Sequence, residues 1–198
     1  MSEGVAVAAD EGASARRGAA IGACVCSGFG AGWFGWSQAA EPHYLHTVSG
    51  IGIVVAIVLC AFAVYTLARA GRAAAPDGAG DSGPGWTAQT RRRYRIIVLI
   101  EFGLIAAGAV VLGSLKHPSW IPVWTGIVVA VHFYPLADVF QASEMKRLAT
   151  GMLAVIALAL AAVAAGVRVP VASLTCLGAG CVLLYGAVGA LRGARATG

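Results

Sequence analysis

Apolar residues in this chain come in long unbroken runs, without the alternation of a half-buried strand. Six runs of 19 to 21 residues, at 18–36, 47–67, 96–115, 120–140, 148–167 and 171–191, are separated by short segments that carry all the charge except Glu101 and Asp138. About 20 residues at about 1.5 Å rise cover a hydrocarbon core about 30 Å thick. Backbone groups in lipid have no water to bond to, so each run must satisfy its own by forming a helix. The pattern therefore predicts an all-α integral membrane bundle of six transmembrane helices, one domain over 18–192.

The polar segments predict little structure of their own. Residues 1–17 are small, polar and of mixed charge and read as a flexible tail, as do 193–198, while 73–90 holds the stretch DGAGDSGPG and reads as a flexible loop. Arg16 and Arg17, the first run and Ser37–Gln38–Ala39 imitate a signal peptide, but the run is longer than such cores and acids precede it. It is read as the first span. Gly18/Gly22 and Gly28/Gly32 are small-xxx-small pairs, which predict a close approach by another helix and leave a homo-oligomer open. Trp33 and Trp36 suit an interfacial belt.

Composition agrees and assigns the sides. The chain is 59% hydrophobic and 12% charged, with mean hydropathy +0.79, outside the makeup of a soluble domain. A net charge of +5 would point to nucleic acid in a soluble protein. Here the basic residues cluster between apolar runs, so no nucleic-acid partner is expected; the partner is membrane lipid. Counted on alternate sides of six spans, Lys and Arg split 12 to 2, which predicts a multi-pass protein of the cell membrane with both termini and the 73–90 loop in the cytoplasm. The five cysteines all lie in apolar runs without metal-ligand spacing, so they read as small packing residues and neither metal nor cofactor is expected.

Candidate chemistry concentrates in WIPVWTGIVVAVHFYPLADVF, residues 120–140, which holds His132, Tyr134, Pro135 and Asp138, and in Glu101 of the preceding run. Ionisable residues inside a span are functional-site candidates because lipid cannot solvate them. Depths counted from the run ends put Glu101 and Asp138 in the inner leaflet on adjacent antiparallel helices, so both are expected to face one cavity lined by Tyr134 and His132. Trp120, Trp124, Val131, Tyr134 and Asp138 recur at helical spacing on one face. Pro135 withholds a hydrogen bond from the Val131 carbonyl and predicts a kink. The plain alternatives are an interfacial Asp138, a Glu101–Arg147 ion pair, a bundle histidine, and packing roles for Trp124 and Tyr134.

The elements RRRYRIIVLIEFGLI (91–105) and VVAVHFYPLADVF (128–140) resemble a widespread class of small bacterial multi-spanning proteins with a glutamate early in one span and an H-F-x-P-L-A motif late in the next. The likeness covers 18–167. In size, span content and paired intramembrane acids the chain is also similar to small integral-membrane terpene cyclases of bacterial meroterpenoid and drimentine-type pathways. That second likeness implies a metal-independent cyclase, an isomerase or lyase acting on a prenylated, farnesyl-type substrate that enters from the membrane.

The residues are compatible with that chemistry. A carboxyl group taken out of water can stay protonated at neutral pH and act as a general acid. Glu101 or Asp138 would protonate an alkene or epoxide, and Trp124, Phe133, Tyr134, Phe102 and Trp33, with His132, would line the pocket and stabilise the cation. No D-D-x-x-D cluster is present for metal-assisted diphosphate loss. The same residues would also serve a proton-coupled small-molecule transporter, and a non-catalytic scaffold fits if both acids have structural partners. No hydrolase or nucleotide-binding motif is found.

Overall fold

The structure is a computed structural model and describes residues 2–38, 43–73 and 87–196. These form six α-helices: α1 (Ser2–Gln38), α2 (Tyr44–Ala73), α3 (Ala88–Ser114), α4 (Ile121–Phe140), α5 (Ser143–Ala164) and α6 (Val171–Ala196). A single 3₁₀ turn, Pro118–Trp120, precedes α4. Each helix contains a segment long and apolar enough to cross a membrane. The large side chains at the bundle surface agree: Val58, Leu99, Val110 and Leu158 are all exposed, which is costly in water and favourable in lipid. Most of the 73–90 loop lies outside the described residues, while the segment read as an N-terminal tail continues α1 and α6 runs on to Ala196.

Short connections stop the helices where the sequence changes character. After α3 the chain turns through Lys116 at φ 59°, and after α5 through Gly166 at φ 89°. Each turn is closed by a bond back to the helix, His117 N–H to the Leu112 carbonyl at 2.8 Å and Val167 N–H to the Ala162 carbonyl at 3.0 Å. This is the pattern of a left-handed cap that uses the last free carbonyls. Glycine is the residue that adopts that conformation without a Cβ penalty.

Packing is uneven across the bundle. α1 lies against α2 and α6, α4 touches α3, α5 and α6, and α5 also packs on α6. Three apolar clusters fix these contacts: Trp33, Ala130, Met152, Cys176, Ala179 and Leu183 at the centre; Ala23, Ala63, Ala187 and Leu191 toward one end; and Val123, Ile156, Ala159 and Val171 toward the other. α3 stands apart. None of its residues is buried, and among the described residues its neighbours are α4 and the 3₁₀ turn alone.

Two packing expectations are corrected. Gly18, Gly22, Gly28 and Gly32 have open space where a Cβ would stand, so the predicted small-residue pairs make no close approach among the described residues of this chain. Close approaches occur instead at Gly52 and Gly180, which flank the buried ring of Phe34, and at Gly108, where a Cβ would fall on the Trp124 indole. At Gly178 and Gly186 the neighbour is an aliphatic side chain, Val155 and Leu148, so what these glycines share is a side chain from another helix, which spacing within one helix does not report. Trp33, read as interfacial, is 5% exposed and anchors the central cluster. Its ring stacks on Trp36 at 5.7 Å, and it is Trp36 that reaches the surface.

Candidate functional site

The site begins with where α3 starts. Thr87 caps it, its Oγ1 accepting from Thr90 N–H at 3.1 Å, so the helix takes in Arg91, Arg92, Arg93 and Arg95 before the apolar run opens. Such a capped start is favoured because it satisfies one of the free N–H groups of the first turn. Glu101 therefore lies 13 residues into α3, about 20 Å along it. Its depth is set by this start and by the short turn into α4, which together fix which α4 residue stands opposite.

Three contacts define that register. Tyr94 meets Phe140 with ring centroids 6.0 Å apart, Glu101 meets His132, and Gly108 meets Trp124. On α3 these residues are seven apart, and on α4 they descend by eight, as two antiparallel helices require. Heptad spacing puts Tyr94, Glu101 and Gly108 on one face. That face is the one α3 turns to the protein.

At its centre Glu101 Oε2 lies 3.2 Å from His132 Nε2, and both side chains are 12% exposed. The approach is close but lacks hydrogen-bond alignment, and the buried His132 nitrogens make no well-aligned hydrogen bond among the described residues. A buried polar group left in that condition costs about 1–3 kcal/mol. The His132 ring also stands 5.5 Å from that of Phe133, and Phe133 packs on the central cluster. Nearer the 3₁₀ turn, Trp124 Nε1 donates to the Leu104 carbonyl at 2.9 Å, which ties α3 to α4 a second time.

Asp138 does not join Glu101, and the expected shared cavity is corrected. Asp138 Oδ1 is 2.8 Å from Lys146 Nζ, with the two side chains 71% and 51% exposed. It belongs to the turn between α4 and α5, where Gln141 Nε2 also donates to the Asp138 carbonyl at 2.7 Å. Arg147 pairs with Glu144 at 2.8 Å, leaving Glu101 to His132. Depth alone groups the acids. The face of α4 separates them, because Asp138 is six residues beyond His132, more than a turn and a half away around the helix.

The proposed aromatic lining also disperses. Phe102 is 62% exposed on the outer side of α3. Tyr134 Oη lies 3.0 Å from Thr150 Oγ1, whose own proton goes to the Lys146 carbonyl at 2.9 Å, so Tyr134 donates and fastens α4 to α5. Trp33 is in the core. Of the residues singled out, the structure brings Glu101 to His132, with the Phe133 ring beside the imidazole. α4 passes through Pro135 as one continuous helix, although Pro135 still has no N–H for the Val131 carbonyl.

Gly108, Thr150 and Lys146 carry weight that sequence reasoning missed. A signal existed for Gly108, which lies seven residues after Glu101 on the same face. Among the described residues, no three His, Cys, Asp or Glu side chains gather as a metal site. Comparison of the chain with protein-family profiles, curated proteins and solved structures finds no match. The functional reading rests on the Glu101–His132 pair.

Proposed function

We propose that this integral membrane protein takes up and releases a proton at the Glu101–His132 pair, and that the exchange drives movement of a small solute as proton-coupled transport. The observation that carries this reading is the 3.2 Å contact between a carboxyl group and an imidazole in the α3–α4 interface, the helix interface that α3 makes among the described residues. A carboxyl and an imidazole that hold one proton between them carry no net charge, whichever group has it. With no proton the pair is at −1, and with two it is at +1. A low-dielectric surrounding disfavours both charged states. The pair therefore keeps one proton while the interface is closed, and exchange with water requires α3 and α4 to part.

The surrounding structure supports such a movement. α3 buries no residue and has α4 as its helical neighbour, so little apolar packing opposes a shift. Pro135 lies three residues from His132 and removes a backbone bond from that part of α4. Intramembrane acids and histidines commonly serve proton relays for the same physical reason.

Proton-initiated terpene cyclisation is the second reading, favoured by the aromatic face of Phe133 beside His132. In it Glu101 is the general acid and Asp138 has no part. It draws less support from the geometry, since Trp124, Tyr134, Phe102 and Trp33 point to separate tasks. Liposomes holding the protein and an internal pH-sensitive dye separate the two readings when candidate solutes are added outside. Transport produces a solute-dependent proton flux, lost in Glu101→Gln and His132→Gln, with no new compound. A cyclase converts a farnesylated acceptor without added metal and without flux. Solute-dependent flux that survives in both variants takes the proton site away from this pair, and absence of flux with every solute sinks the transport reading.

A further inference from the structure

On the edge of the bundle away from α3, Val58, Leu59 and Phe62 of α2 face Val188, Leu191 and Arg192 of α6 around a cleft of about 290 Å³. Five of the six lining side chains are apolar, and the sixth is a guanidinium. Val58 stands 14 residues along α2 and Arg192 stands 21 residues along α6, about 21 Å and about 32 Å from their starts. The cleft thus occupies the half of the bundle next to its basic end, with Arg192 at the rim. Arg192 is exposed and forms no ion pair among the described residues. Seven residues past Phe62 on α2, Arg69 adds a second exposed cation about 10 Å further toward the same end.

This combination selects its occupant. A water-soluble anion would gain the guanidinium and lose its hydration against an apolar wall, which is unfavourable. A lipid without a phosphate would fill the wall and leave the guanidinium unused, and a zwitterionic one would bring a cationic headgroup toward Arg192 and Arg69. A molecule with a hydrocarbon chain and a phosphate at one end satisfies both, and the planar fork of arginine matches phosphate oxygens. The volume lies at the small end of ligand cavities, about 300–1,000 Å³, which suits a single chain. We infer that the α2–α6 cleft binds one acyl chain of an anionic glycerophospholipid, with the lipid phosphate on Arg192.

The test is native mass spectrometry of the purified full chain in detergent, titrated with phosphatidylglycerol or with phosphatidylcholine of the same acyl chains. Phosphatidylglycerol is retained in preference. Arg192→Gln weakens its retention by about fivefold, the effect of one basic residue at an anionic lipid surface. Arg192→Lys retains part of the preference, and Arg95→Gln, at the same end but on α3, leaves it unchanged. Val188→Trp fills the cleft and lowers retention of both lipids. Because Arg192 is exposed, its glutamine variant is expected to fold even if the tryptophan variant does not. Equal retention of the two lipids, or phosphatidylglycerol retention unchanged in Arg192→Gln, overturns the site.

Discussion

Glu101 Oε2 stands 3.2 Å from His132 Nε2 across the interface of α3 with α4, and each side chain is 12% exposed. The contact joins the least packed helix of the bundle to one of its most buried. It should show as energetic coupling. Glu101→Gln and His132→Gln are each expected to destabilise the detergent-solubilised protein by about 1–3 kcal/mol, as for a buried polar group deprived of its partner. The double variant should cost less than the sum, with a coupling of about 0.5–3 kcal/mol. Strict additivity in a denaturant or thermal series would mean that the two groups do not sense each other.

Gly108 and Trp124 form the second tie. A Cβ at Gly108 falls on the indole, so Gly108→Ala should cost about 1–3 kcal/mol through overpacking and disturb the Trp124 bond to Leu104. At Gly28, where the added methyl meets open space, alanine should instead be neutral or stabilising by up to about 1 kcal/mol, the difference in helix propensity. Thermal unfolding of the two variants checks the contrast, and equal effects would argue against the α3–α4 register.

Asp138 and Lys146 form an exposed pair, and such pairs contribute about 0–1 kcal/mol. Asp138→Asn should leave stability nearly unchanged and solute-dependent proton flux intact. A loss of flux as deep as that in Glu101→Gln would restore a functional role to Asp138.

How far the sequence reached is clearest at these residues. The six spans were legible because apolar run length is a one-dimensional quantity set by bilayer thickness. Glu101 and His132 were legible as unusual, since charge inside a run needs no partner to be noticed. Their meeting was not. It depends on where Thr87 starts α3 and on the short turn at 115–120, which set the antiparallel register. Depth groups Asp138 with Glu101, while rotation about α4 sends it to Lys146. Trp33 and Phe34 lie inside the bundle because glycines on other helices leave room for Phe34 and for the close packing around it, which single-helix periodicity cannot express.

Orientation in the membrane is the fourth prediction, motivated by the 12 to 2 split of basic residues. In a background with the five cysteines replaced, Ser119→Cys in the turn before α4 should react with an impermeant reagent applied to intact cells. Ser143→Cys at the start of α5 should react only after the membrane is opened. Both positions are exposed, so accessibility decides the result. The reverse labelling would place the termini outside.

Proton sharing between Glu101 and His132 is tested most directly by infrared difference spectra of the membrane-embedded protein during an acid titration, read at the carboxylic C=O stretch. A band should grow as Glu101 takes up its proton, vanish in Glu101→Gln, move in frequency and midpoint in His132→Gln, and persist unchanged in Asp138→Asn. A band indifferent to His132→Gln, or one removed by Asp138→Asn, would contradict the pair as the proton-handling site.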